Sequence, residues 1–271
     1  MTKAKAYPLD RSDREFKRLR IQAEALAAES DVMLQRIGVG SGWNCLDIGC
    51  GVGGITDLLS ARVGPSGHVL GVDLDESSLV AARGWAEGLN LDNVSFQQAN
   101  VLALDLPAES FDLVHMRYVV TTIRHYEEVI RNAYALVKPG GWLVLEESDS
   151  EGLHCYPEHP AWYRLKTLLQ DVFDAVGADT RAGRRCWPIM RALGLEGLSF
   201  RPCQAGCRSG DDLVDYLPQT IISSRRFVAE HGLMEDAELD RLIADCRAHL
   251  ADLDTLSTNV TLVQIWGRKP E

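Results

Sequence analysis

The sequence predicts an α/β fold built on a mostly parallel, doubly wound sheet of seven strands. Two observations carry that prediction. Short apolar segments alternate with helical segments from residue 44 to residue 146, which is typical of parallel strands joined by crossover helices. The first apolar segment, 44–48, continues directly into a glycine-rich turn at 49–54 and then a helix from about residue 55. Because ligands of such sheets bind beyond the carboxyl ends of the strands, we expect a ligand site at this turn.

In chain order, helix-forming composition at 13–29 predicts an N-terminal arm, and a second helix is expected at 30–37. Further strands are predicted at 68–73, 94–97, 111–115, 142–146, 198–203 and 260–266. Further helices are predicted at 55–62, 76–88, 161–176, 211–231 and 236–253. We therefore predict an arm at 1–30 and one domain at 31–271, with helical insertions at about 151–182 and 208–256.

The glycine-rich turn favours a nucleotide-like ligand. Gly49 and Gly51 lack a Cβ, so they can adopt positive φ and let the backbone approach a ligand closely. Asp73 ends the second strand about 20 residues further on, where dinucleotide-binding folds carry an acid for the ribose hydroxyls. The glycine spacing departs from the regular dinucleotide fingerprint, so these residues leave the choice of nucleotide cofactor open.

Three motifs in order resemble those of class I S-adenosylmethionine-dependent methyltransferases. They are Leu-Asp-Ile-Gly-Cys-Gly-Val-Gly-Gly at 46–54, Phe-Asp-Leu-Val at 111–114 and Leu-Val-Lys-Pro-Gly-Gly at 136–141. The resemblance covers about 32–147 and is closest to bacterial small-molecule, secondary-metabolite methyltransferases of the ubiquinone/menaquinone-methyltransferase-like branch. It implies a Rossmann-like sheet whose last strand is antiparallel, and S-adenosylmethionine as the cofactor.

The resemblance also implies a set of cofactor-binding residues. Asn100 stands where the family often has an acid for the adenine amino group, and the Val101 amide is expected beside it. Arg18 and Gln22 of the arm could face the methionine end, with solvated charges as the alternative. The complete expected set is Arg18, Gln22, Asp47, Gly49, Gly51, Asp73, Leu74, Asn100, Val101, His115 and Arg117.

The insertions follow strand ends on the cofactor side, so we expect them to form a lid over the acceptor. The candidates for acceptor binding are Tyr7, Trp162, Tyr216, Ile221 and Phe227, and the alternative is that these side chains only pack the lid on itself. His154 is the candidate general base, with Glu147 as a second catalytic candidate, because an acceptor that keeps a proton needs a base. A surface role is the alternative for His154.

Net charge, cysteine spacing and the distribution of apolar residues limit the partners and the location that the sequence favours. The formal net charge of −11 would repel a phosphate backbone, so nucleic acid is not expected as a partner. The seven cysteines form no recognisable framework, and neither an apolar leader nor a membrane-spanning segment is evident. We therefore expect a reduced, cytoplasmic protein with no membrane partner and no metal. A homodimer that exchanges the arm or the lid between subunits is also compatible with the sequence.

The sequence therefore predicts methyl transfer from S-adenosylmethionine to a carbon, nitrogen or oxygen of a small aromatic or polyketide-like metabolite. Two other functions stay open. One is an NAD-dependent oxidoreductase, which would use the same type of turn. The other is a protein that binds S-adenosylmethionine or assembles with partners without catalysing a reaction.

Overall fold

The computed structural model describes residues 8–271. Its helices are α1 (Asp13–Ile37), α2 (Thr56–Val63), α3 (Glu76–Gly88), α4 (Tyr126–Leu136), α5 (Pro160–Val176), α6 (Ala182–Ala192), α7 (Tyr216–Ser223), α8 (Arg225–Glu230) and α9 (Asp236–Leu250). Its strands are β1 (Asn44–Ile48), β2 (His68–Asp73), β3 (Val94–Gln98), β4 (Phe111–Arg117), β5 (Val137–Asp149), β6 (His154–Tyr156), β7 (Glu196–Cys203), β8 (Gly206–Arg208), β9 (Leu256–Thr258) and β10 (Thr261–Arg268). Short 3-10 turns lie at Val101–Ala103, Val120–Thr122 and Ser150–Gly152.

Within the described residues, the main sheet has seven strands in the order β3-β2-β1-β4-β5-β10-β7. The β1 strand pairs in parallel with β2 and β4, whereas β10 pairs antiparallel with both β5 and β7. The predicted fold class is thereby confirmed, including the antiparallel last strand. The order reverses at β1, so the carboxyl ends of β1 and β4 diverge into separate loops and leave a crevice for a ligand.

The arm is one continuous helix instead of the two predicted. The 25-residue α1 starts after Ser12, whose side chain accepts from the Glu15 N–H, and ends at Gly38 in the left-handed conformation at φ 80°. The second helix was expected to begin at Ser30, a residue type that often caps helices. Ser30 instead lies inside α1, where its buried hydroxyl donates to the Glu146 carboxylate at 2.9 Å. The expected domain boundary at 30/31 therefore falls within a helix.

The two insertions form a second hydrophobic core of their own. Helix α5 of the first insertion packs against α7 and α9 of the second. An antiparallel sheet of order β6-β9-β8 joins the insertions, and the sequence did not predict it because each of its strands has only three residues. The core contains three of the candidates for acceptor binding, Trp162, Ile221 and Phe227. All three are buried, so they pack the lid on itself.

Candidate functional site

The turn after β1 adopts the conformation that its glycines permit. Gly49, Gly51 and Gly53 have φ of 68°, 53° and 87°, a region that residues with a side chain rarely adopt. A Cβ on Gly49 would lie 2.3 Å from a methyl carbon of Val119, whereas a Cβ on Gly51 would meet no atom within 4 Å. Gly49 is therefore required for packing, and Gly51 borders open space that a ligand can enter.

Asp73, at the end of β2, is held beside this turn. Its two carboxylate oxygens accept from the backbone N–H groups of Gly51 and Asp75, each at 2.9 Å. Burial raises its pKa, and these two hydrogen bonds act in the opposite direction. Each oxygen keeps a lone pair for a further donor, so a fixed carboxylate is available to a vicinal diol.

Apolar surface lies next to Asp73. Leu74 follows it directly and is 61% exposed. Asn100 lies after β3, but its side-chain oxygen accepts from the Leu102 N–H at 3.0 Å and so caps the turn Val101–Ala103. The oxygen expected for the adenine amino group thus has a local partner already, although a carbonyl oxygen can accept a second hydrogen bond.

Beneath the turn, a buried network joins β1, β4 and β5. His115 lies between Asp47 and Glu146, with ring nitrogens 2.9 Å and 3.2 Å from their carboxylate oxygens, and it has no solvent exposure. Burial lowers the pKa of His115, but the hydrogen bonds to both carboxylates outweigh burial and raise it to about 9. Burial alone would raise the pKa of Glu146. Its hydrogen bond with His115 and the charges of His115 and Arg117 outweigh burial and bring that pKa below the usual value. Asp47 and His115 were expected at the cofactor, His115 through its backbone, and their side chains support the turn from below.

Arg117 connects this network to the turn. Its guanidinium donates to the Gly54 carbonyl at 2.6 Å and lies 3.8 Å from the Glu146 carboxylate. The side chain is only 10% exposed. Arg117 therefore holds the start of α2 against the end of β4, and its partners are other residues of the protein.

The arm reaches the turn through Arg20. The Arg20 guanidinium donates to the Val52 carbonyl and stacks over the Trp85 ring at 3.9 Å, and burial lowers its pKa to about 10. Arg18, which we expected there, pairs with Glu15 and lies 5.7 Å from the Tyr216 ring. Two residues along a helix differ by about 200° in direction, so Arg18 and Arg20 point to opposite sides of α1. The side of the helix on which each arm residue lies was the signal that could have identified Arg20 from the sequence.

Glu147 positions the loop after β4. Its buried carboxylate accepts from the N–H groups of Val119, Val120 and Thr121 at 3.1, 2.9 and 3.0 Å, and from the Thr121 hydroxyl at 2.7 Å. Burial raises its pKa to about 7, and the same hydrogen bonds act against that rise. Both oxygens of Glu147 are bonded inside the protein, which favours a positioning role and argues against the predicted catalytic role.

A small cavity lies between the arm and the second insertion. Its volume is about 80 Å³, and its lining residues are Gln22, Ala25, Leu26, Glu29, Tyr118, Cys203, Gln204, Ala205, Leu213, Tyr216, Asn259 and Val260. Two expected site residues, Gln22 and Tyr216, thus share this cavity, and the Gln22 amide donates to the Tyr216 hydroxyl at 3.4 Å. His154 is not part of the lining. It is exposed on β6, and Tyr7 lies outside the described residues.

The glycine turn and the cavity share a wall. Val119 contacts the position of Gly49, Arg117 contacts Gly54, and Tyr118 between them lines the cavity. On α1, Arg20 reaches the turn while Gln22 lines the cavity. A ligand at the turn and a second ligand in the cavity would therefore both border the loop after β4.

Comparison with known proteins decides the family. A family model described as a methyltransferase domain matches residues 40–190, which is more than half of the chain. The chain belongs to this methyltransferase domain family. The matched range holds the glycine turn, Asp73 and the Arg117–Val119 wall, so the family features coincide with the site.

Individual relatives match part or all of the methyltransferase domain. Demethylmenaquinone methyltransferase of Listeria welshimeri is 32% identical over 127 residues, which are 47% of this chain and 51% of that protein. The chain therefore spans about half the length of the curated relatives it matches. A Bacillus halodurans C-125 structure, provisionally described as a methyltransferase, has a TM-score of 0.62 at 18% identity and covers 90% of this chain and 100% of that one. The [4+2]-cyclase SpnF has a TM-score of 0.55 at 16% identity, covering 91% and 82%.

The methyltransferase domain has groups that fit S-adenosylmethionine. The Asp73 carboxylate suits the ribose hydroxyls, exposed Leu74 offers apolar surface to an adenine ring, and the start of α2, whose N-cap residue makes no side-chain cap, favours the methionine carboxylate. Family membership and these groups confirm the predicted fold, family and cofactor. A larger cleft of about 410 Å³ lies by Trp43, Asp112 and Pro139–Gly141, at the amino ends of the parallel strands, and so lies away from this site.

A matched pair of substitutions in the methyltransferase domain separates packing from ligand approach. We expect Gly49→Ala to lower the free energy of unfolding by more than Gly51→Ala does, because only the first Cβ meets Val119. Backbone strain alone costs about 1–2 kcal/mol at either position. Gly51→Ala, however, should weaken S-adenosylmethionine binding by about 10-fold or more, since its methyl group occupies the ligand's approach. Urea titration and calorimetry measure the two effects, and wild-type affinity in Gly51→Ala would refute the proposed approach.

The charged state of His115 should make stability depend on pH. Its pKa of about 9 in the folded protein exceeds the value of about 6.5 of an unfolded chain, so its contribution is complete below pH 6.5. As pH rises through 9 we expect about 3 kcal/mol of stability to be lost. His115→Gln should lose about 3–5 kcal/mol near pH 6.5 and much less near pH 9. Urea unfolding at both pH values measures this, and an equal loss at both would show that His115 is uncharged.

Proposed function

We propose that this methyltransferase domain transfers the methyl group of S-adenosylmethionine to a carbon, nitrogen or oxygen of a small aromatic or polyketide-like metabolite. The observation that carries the proposal is that the cofactor turn and the cavity both border the segment Arg117–Val119. Methyl transfer needs two ligands side by side and water excluded between them. A turn and a cavity that border the same segment bring a cofactor and an acceptor close together, and transfer then requires the two to meet without the Tyr118 side chain between them.

The residues of the chain contribute alignment more than proton transfer. Bound S-adenosylmethionine supplies an electrophilic methyl group on a sulfonium and leaves as S-adenosylhomocysteine. Asp73 fixes the ribose end, and Arg117 and Glu147 hold the intervening loop in place. Helix α1 and the second insertion line the cavity and shield part of it from solvent. Since in-line displacement depends on the angle of attack, this rigid wall favours reaction by orientation.

The size and lining of the cavity support an acceptor that enters by displacement of the arm or the insertion. The cavity of about 80 Å³ is smaller than the roughly 150 Å³ that holds a benzene ring in an engineered protein. A ring-sized acceptor therefore needs α1 and the 213–216 segment to separate. The curated relatives in Listeria are named for a demethylmenaquinone substrate, which supports a small-molecule acceptor.

Homodimerisation stays a prediction that sedimentation would test.

Transfer from labelled S-adenosylmethionine to a panel of phenols, aromatic amines and polyketide-like enols tests the proposal. We expect label in at least one acceptor, and we expect Asp73→Asn to weaken cofactor binding by about 10-fold, because one charge-assisted hydrogen bond is lost. Asp252→Asn is the matched control, since Asp252 is exposed beyond α9. Tight binding of NAD in place of S-adenosylmethionine would favour the oxidoreductase. Cofactor binding without transfer to any acceptor would favour the non-catalytic alternative.

His154 was predicted as the general base, and its exposure on β6 argues against that role. A residue that removes a proton in the transition state contributes about 100-fold to 10,000-fold to the rate. We expect His154→Ala to keep turnover within about twofold of wild type, as a substitution at an exposed surface does. Initial rates at saturating cofactor check this. A drop of 100-fold with unchanged cofactor affinity would restore the predicted base.

A further inference from the structure

Tyr118, in the wall between turn and cavity, has an unusual backbone. Its φ is 56°, in the left-handed region that glycine favours, and the side chain is large. Such a conformation costs free energy, so it persists only where the surroundings impose it. Strain of this kind concentrates where a side chain has to be presented in one direction.

The surroundings of Tyr118 impose this conformation from both sides. The Tyr118 N–H donates to the Glu146 carbonyl at 3.0 Å, while Arg117 before it is bound to Gly54. After it, the buried Glu147 carboxylate accepts from three successive N–H groups, beginning at Val119. The strained position is thus held by the Arg117 side chain before it, by its own N–H, and by the backbone N–H groups after it.

The side chain of Tyr118 is directed at the cavity. It lines the cavity together with Tyr216 and packs against the insertion core and the cluster of Leu26, Cys203 and Leu262. Within residues 8–271 its hydroxyl forms no hydrogen bond, whereas the Tyr216 hydroxyl is bonded to Gln22. Burial, with Tyr216 alongside, raises the pKa of Tyr118 well above its usual range. The phenol therefore stays protonated near neutral pH and can donate a hydrogen bond.

We propose that Tyr118 is a positioning and specificity residue whose hydroxyl donates a hydrogen bond to an oxygen of the methyl acceptor. This inference rests on the proposed function and specifies its substrate class as an oxygen-bearing ring. A phenolic, enolic or carbonyl oxygen would satisfy the donor, whereas a hydrocarbon ring of the same shape would leave it unpaired. Sites built to bond a substrate oxygen reject analogues that lack it much more strongly than apolar pockets discriminate by size.

Binding of two shape-matched rings tests the inference directly. Naphthol and methylnaphthalene are titrated into the full chain saturated with S-adenosylhomocysteine, and affinities are compared for wild type, Tyr118→Phe and Tyr156→Phe. Tyr156→Phe is the matched control, because Tyr156 is 72% exposed on β6. We expect wild type and Tyr156→Phe to prefer naphthol by about 10-fold, the size of one net hydrogen bond, and Tyr118→Phe to show no preference. Thermal melting and S-adenosylhomocysteine affinity should be unchanged in Tyr118→Phe.

The outcomes separate this inference from the proposed function. Equal affinity of wild type for the two rings, binding of neither ring, or a preference that survives in Tyr118→Phe would each overturn the role of Tyr118. The wild-type comparison does so even if the variant were to fold poorly. A preference for naphthol that depends on Tyr118, combined with no methyl transfer to any acceptor, would show that Tyr118 bonds an oxygen-bearing ring and would refute both the proposed function and the role of that ring as a methyl acceptor.

Discussion

The buried contact of His115 with Asp47 and Glu146 is the constraint on which the site depends. It joins the carboxyl-terminal halves of the three strands β1, β4 and β5, and Ser30 of α1 and Gln264 of β10 bond to the same Glu146 carboxylate. Charged groups without solvent are stable only when each is paired, so every element that carries a member of the network is held in register with the others. The glycine turn lies above the network and is held in place by it through Arg117.

Two adjacent glutamates of β5 hold the loop after β4, each through a different set of contacts. Glu146 faces the network and keeps a lowered pKa because His115 and Arg117 lie beside it, whereas Glu147 faces the loop and has a raised pKa because burial dominates over its hydrogen bonds. Successive side chains of a strand point to opposite faces, so the two carboxylates serve opposite sides of β5. The strained backbone at Tyr118 is maintained where their two sets of hydrogen bonds meet.

The shared fold alone does not determine the reaction. A [4+2]-cyclase has the same fold at 16% identity, so the sheet and its crevice do not by themselves select a reaction. In this chain the cavity is enclosed by the arm, by residues 203–205 between β7 and β8, and by the second insertion, with a core of its own behind them. If the proposed acceptor binds in this cavity, its specificity depends on elements that pack against the sheet from outside.

The sequence by itself determined the elements whose signals are local. Apolar alternation located the strands of the sheet, and the glycine pattern with Asp73 located the turn, because steric limits on φ and the period of a strand act over a few residues. Only the tertiary structure decided where polar side chains end up. Ser30 looked like a helix cap but bonds to Glu146, Arg18 and Arg20 differ by which side of α1 meets the turn, and His115 and Glu147 support the loops from below. Those roles depend on partners distant in the chain, so no local pattern reveals them.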